Sequence, residues 1–219
     1  MATNNPRGFV EYRHLGGAVH PATRRYRARD NGDASQMQHQ PIRAGDPVVM
    51  VSGNRVARIT APLSAAPVAA GGAIIGIVRG VYNNVNGQPR PFTHNVSGAV
   101  INASADGWVE VNIDPLQTYL VNTDSTVQPN HFGLSFNVTA LAAPATPGRS
   151  GMSLFLTAAA TAANVVAGTA APFTMIGWGA GDEDYNQPTA GSPESRNADV
   201  EVVIGFHAFG RGTPMLGIA

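Results

Sequence analysis

The 219-residue chain contains neither cysteine nor lysine. Without cysteine it has no disulfides and no thiolate metal centres, which excludes a disulfide-stapled secreted scaffold. Without lysine, all 14 basic side chains are arginine, the residue that makes planar, bidentate contacts and suits interface ion pairs. Charge of either sign is scarce, at 13% of residues, about half the usual share. Solubility therefore rests on Asn, Thr, Ser and Gln, as befits a subunit of a large assembly better than a free enzyme. No apolar run approaches the roughly 18 residues of a membrane-spanning helix. The opening "MATNNPRGFVEYRH" lacks the apolar stretch of a signal peptide. Synthesis in the cytoplasm without export by that route, and no membrane partner, are the expectations.

Motifs for chemistry are equally scarce. In "AAGGAIIGIVRG" (69–80), Gly71 and Gly76 have the spacing of a phosphate-binding loop. That loop continues with Lys and a hydroxyl, to reach the phosphates and hold magnesium. Here Ile77 and Val78 follow, and no dinucleotide fingerprint occurs. The stretch reads as a buried strand, with Gly76 marking a bulge or a close backbone approach. Six histidines form no H-E-x-x-H motif, and "GDEDYN" (181–186) lacks the alternating carboxylates and final Glu of a calcium loop. His14, His20 and His39 suit an interface, whereas His131 and His207 border strands. "GRSGM" (148–152) only loosely matches a nucleophile elbow, which needs a strand–turn–helix setting. Asp46 with Asp114 would be a carboxylate pair of the kind any β protein offers. No catalytic residue, metal ligand or cofactor is assigned, and the chain is expected not to be an enzyme.

What the chain does have is 25 Gly, 16 Pro and short alternating apolar segments. The pattern predicts strands at 47–51, 55–59, 73–79, 108–113, 119–121, 131–138, 152–156, 173–178 and 199–206. In "WVEVNI", Val109, Val111 and Ile113 point inward while Trp108, Glu110 and Asn112 point outward. Phe132, Leu134, Phe136 and Val138 share one face, as do Val200, Val202, Ile204 and Phe206. With no convincing amphipathic helix, the fold class is all-β, a barrel or sandwich of short strands. Residues 157–168 read as two or three helical turns or a surface loop. "AAGGAIIGIVRG" also aligns with "AAPFTMIGWGAG" (170–181), pairing Ile75-Gly76 with Ile176-Gly177.

Residues 1–40 show no sustained periodicity and read as an extended arm. The body then spans 41–207, with two β subdomains meeting near 122–150 as an option, and 208–219 forms a tail. Residues 1–45 carry seven Arg against Glu11, Asp30 and Asp33, and the remainder is acidic by the same amount. A basic segment on an acidic body implies an acidic partner. The aromatics Phe9, Tyr12 and Tyr26 argue that the arm docks. "TRRYRAR" (23–29) would suit single-stranded nucleic acid, but the zero formal net charge favours a protein anchor, with no nucleic acid as partner.

Several segments together, "GFVEYRHLGG", "AGDPVVMV", "IIGIVRGVY", "VNIDPLQTYLV", "GRSGM" and "DVEVVI", resemble a family of tailed-bacteriophage virion proteins. Members decorate or cement the icosahedral capsid, and the resemblance runs from Gly8 to about His207. It implies a structural protein on the outer surface of the shell, locking major capsid subunits against internal DNA pressure. The partners would be the major capsid protein and the chain itself, as a homotrimer in preference to a dimer. The capsid-binding arm would then present Phe9, Tyr12, Arg13, His14, Arg24, Arg25, Tyr26, Arg27 and Arg29. Competing readings are a receptor-binding or head-fibre subunit and a small β-fold hydrolase.

Overall fold

A computed structural model of the chain describes residues 8–17, 20–28, 42–51, 55–59, 74–85, 88–91, 107–125, 127–140, 150–156, 172–179, 198–205 and 207–209. The fold is all-β. The strands are β1 (Val10–His14), β2 (Thr23–Ala28), β3 (Pro47–Val51), β4 (Arg55–Arg58), β5 (Ile74–Val85) and β6 (Gln88–Pro91). They continue with β7 (Gly107–Asn112), β8 (Gln117–Asn122), β9 (Ser135–Ala140), β10 (Met152–Phe155), β11 (Phe173–Trp178) and β12 (Asp199–Ile204). Among the described residues the one helical piece is a 3-10 turn at Pro129–His131. Residues 157–168 and 181–186 lie outside the described residues.

Five strands close a barrel in the order β3-β4-β2-β7-β5, with β5 pairing back to β3. Only β2 and β4 run parallel; the other pairings are antiparallel. Closure removes sheet edges, the usual hazard of a β protein. β6 extends β5 as a hairpin, and its prolines at 89 and 91 leave that edge poor in N–H donors. The interior is filled by Tyr26, Val48, Val56, Ile75, Val78, Val109 and Val111, all buried. The alternation read in "WVEVNI" thus points Val109 and Val111 into the barrel.

Gly76 divides one apolar run between two cores. Strict alternation would put Ile75 and Ile77 on the same face. The register instead shifts opposite Gly76, and Ile75 and Val78 enter the barrel. Ile74 and Ile77 pack into the neighbouring core. Gly76 has φ of +152°, and a β-carbon there would run into the carbonyl of Asn112. Both of the anticipated devices, bulge and close approach, occur at this residue. Gly177 also sits at a register shift, but Ile176 is exposed where Ile75 is buried. The two Ile-Gly pairs share a bulge and not a side-chain direction.

The second sheet has the order β1-β8-β12-β11-β9-β10. It curls until a parallel bridge between Thr123 and Leu154 brings β10 back to the end of β8. Its core holds Phe9, Tyr119, Phe136, Val138, Met152, Leu154, Phe173, Met175, Val200 and Val202. Phe9 stacks on Phe173 with centroids 4.4 Å apart. Phe132 and Leu134 pack at the margin of this core, and Phe206 lies outside the described residues.

The reading of residues 1–40 as a separate arm is corrected where they are described. β1 pairs with β8, and β2 lies inside the barrel between β4 and β7. β2 escapes detection because Tyr26 is its single large apolar side chain facing the barrel core. The body therefore begins by Gly8 and not at 41. It also extends past 207, since the Ala208 N–H donates to the Ile74 carbonyl at 2.8 Å. The chain passes between the two sheets twice, between β1 and β2 and again at 113–116 between β7 and β8, and not near 122–150.

A short strap, Ile42–Asp46, joins the sheets. Phe9 N–H donates to Gly45 O, Ser150 N–H to Ala44 O, and Gly45 N–H to Val78 O. Asp46 is fully buried; its carboxylate accepts from Arg43 N–H at 2.7 Å and faces Arg58 at 3.2 Å. Burial raises its pKa against the pull of Arg58 and a hydrogen bond with Ser150.

Candidate interaction surface

Alternation that sends Tyr26, Val109 and Val111 inward sends Arg25, Arg27, Trp108 and Glu110 outward. The register aligns Arg27 with Trp108 and Arg25 with Glu110. Across β7, Trp108 aligns with Tyr82 and Glu110 with Gly80. Three neighbouring strands therefore present two rows of arginine, aromatic and carboxylate side chains on one outer face.

The side chains interlock. A β-carbon at Gly80 would lie 3.1 Å from the Tyr82 hydroxyl and 3.2 Å from Cε2. Glycine at 80 thus lets the Tyr82 ring fold back over its own strand. The Arg25 guanidinium lies over the Tyr82 ring, 5.3 Å from its centroid, and Arg27 lies 5.2 Å from the Trp108 ring centroid. The Tyr82 hydroxyl donates to Glu110 Oε2 at 3.2 Å, and Arg25 Nε stands 3.8 Å from the same oxygen. Burial first, and the Glu110 charge second, raise the Tyr82 pKa. Each cation–π contact is worth about 0.5–1 kcal/mol at an exposed site. Together they hold two arginines in place while their outer edges stay exposed to solvent.

The nine residues expected to form a capsid-binding arm separate into different environments. Phe9 and Tyr26 are buried in the two cores and are not surface anchors, because filling the cores consumes their apolar area. Arg13 is committed within the chain to Glu201, with Nε 2.7 Å from Oε1 and Nη2 2.6 Å from Oε2. Tyr12 is half-buried beneath Arg13. Arg24 is exposed and lies over the Tyr26 ring. Arg25 and Arg27 are brought together on the outer face, and Arg29 lies outside the described residues. Tyr82, Trp108, Glu110 and Gly80 complete that face. The outward phase of "WVEVNI" signals Trp108 and Glu110; nothing in the sequence joins them to Arg25.

His14 is held at the β1–β8 end, with Nε2 3.0 Å from Asp114 Oδ2. The Gly16 N–H donates to Nδ1, so Nδ1 carries a lone pair and the proton sits on Nε2. Neither nitrogen is available as a base for a nucleophile. Burial alone would raise Asp114, but hydrogen bonds from Leu116 N–H, Ala22 N–H and His14 outweigh it and lower its pKa. Asp46 and Asp114 thus have separate partners. Ser150 is buried and its hydroxyl accepts from Met152 N–H at 3.1 Å. Among the described residues no group of three His, Asp or Glu is placed to hold a metal ion.

Neither protein-family models, nor curated proteins, nor solved structures yield a match to this chain.

Proposed function

We propose that this chain is a structural, non-enzymatic virion protein that decorates the outer surface of an icosahedral bacteriophage capsid. In this reading it bridges major capsid subunits and stabilises the shell. The observation that carries it is the Arg25–Tyr82–Glu110 and Arg27–Trp108 face on a closed barrel. Arginine and aromatic side chains are the types that dominate protein interfaces, and closure of the barrel holds them on a rigid support. The segment resemblance supplies the shell as the assembly. Attachment is through this face and not through a free arm. A homotrimer on the shell accompanies the reading, since closed symmetric assemblies predominate and low surface charge favours burial against protein.

The experiment is to mix the purified chain with empty mature shells, separate bound from free, and count copies per shell. Saturation at a copy number fixed by the shell's symmetry supports the reading. Absence of saturable binding overturns it. A particle reconstruction showing isolated, mutually untouching copies would exclude the trimer alone.

A further inference from the structure

We propose that the face formed by Arg25, Arg27, Tyr82, Trp108 and Glu110 docks an acidic, extended segment of the partner protein. This inference rests on the attachment role proposed above and names the chemistry of its partner. Arg25 and Arg27 are alternate residues of β2, so their origins repeat at about 6.7 Å. Alternate carboxylates along an extended peptide repeat at the same distance. A strand laid over β2 could therefore present one carboxylate to each guanidinium. Both guanidiniums are supported from beneath, Arg25 by Tyr82 and Arg27 by Trp108, which reduces the ordering cost of such pairs.

Single-stranded nucleic acid also repeats its charges at a similar distance, but its binding sites use open aromatic faces on which bases stack. Here Tyr82 is hemmed between Gly80 and Arg25, and Trp108 carries Arg27. Glu110 lies in the Arg25 row and engages Arg25 at 3.8 Å, the place that a carboxylate of the partner would take over. Charge complementarity with a protein carboxylate row is what this face offers.

Calorimetric titration of the full chain tests the inference with three probes. They are an alternating Glu-Thr peptide, a Gln-Thr peptide of equal length and an oligothymidylate of equal charge. The Glu-Thr peptide is expected to bind saturably, and the other two to bind at least about tenfold more weakly. R25Q/R27Q is expected to weaken Glu-Thr binding at least about tenfold, with circular dichroism confirming an unchanged fold. Glu110→Gln, which removes the internal competitor, is expected to strengthen it. Equal binding by R25Q/R27Q, tighter binding of the oligothymidylate, or no binding of the Glu-Thr peptide would each overturn the inference. Shell binding is read separately. Shells bound without the peptide refute the acidic segment alone, whereas peptide bound without shells refutes the capsid role alone.

Discussion

Arg13 and Glu201 form a two-point ion pair in which the carboxylate is sealed from water and the guanidinium is the lid. The side chain of Arg13 is 58% exposed and that of Glu201 1%, so the interaction is asymmetric. Removing the lid takes away both charged hydrogen bonds and lets water reach the carboxylate in their place. Arg13→Ala is expected to lower unfolding free energy by about 1.5–3 kcal/mol, the range for hydrogen bonds to a charged group. Glu201→Gln introduced into that variant should recover part of the loss. Urea denaturation of the single and double variants measures both.

Truncation to residues 41–219 is expected to abolish the native fold. It deletes β2, which connects β7 to β4 in the closed barrel, and empties the site of Tyr26. It also deletes β1 and Phe9, opening the second core. A truncated chain with the full-length β spectrum and a cooperative melt would contradict the topology. Tyr26→Ala alone should cost about 3–5 kcal/mol by creating a large cavity.

Two glycine substitutions should differ in cost. Gly76→Ala faces both a positive φ and the Asn112 carbonyl, and is expected to lose more than about 2 kcal/mol. Gly133 has φ of +84° with nothing within 4 Å of a β-carbon, so Gly133→Ala should lose only about 1 kcal/mol. Thermal melting of the two variants under one buffer gives the comparison.

Acid should destabilise the fold through His207. Burial lowers its pKa to about 4, with the Asp114 charge opposing. Its unfolded value is about 6.5. Above that value both states are neutral and the stabilisation is fully present. As the pH falls from about 6.5 towards 4, the unfolded chain takes up a proton that the folded chain refuses, and stability is lost. His207→Asn retains an acceptor for the Phe209 N–H, which Nδ1 receives at 3.1 Å, but cannot titrate. Denaturation midpoints between pH 7 and 5 should fall less in this variant than in the native chain. His131, lowered by burial, keeps part of the slope in both.

The strands legible in the sequence are those whose apolar side chains alternate over several turns of the pleat. β7 and β12 are of this kind, β9 only from Ser135 onward because Phe132 and Leu134 precede the strand, and β3 and β4 are framed by turn residues. β2 is not legible because Arg25 and Arg27 face solvent and Tyr26 alone marks the core side. β5 is longer than its apolar run suggests, since register shifts near Gly76 and between Val78 and Gly80 break its period. The candidate surface was half visible. Its arginines stand out as "TRRYRAR", but their aromatic supports lie 57 and 81 positions further on and are joined to them only by strand pairing.

The placement of β1 carries a consequence for synthesis. The barrel strands β2 to β7 end at Asn112, so that unit can close soon after its last strand leaves the ribosome. β1 precedes them all, yet Glu11 pairs with Tyr119. The earliest strand must therefore wait, unpaired, until the barrel beside it has been made and the next strand has emerged. During that interval Phe9 has no core to enter, and premature contacts of this segment compete with its eventual pairing. Slow translation between 113 and 122 would prolong the wait, whereas a chaperone holding the nascent amino terminus would shorten its exposure.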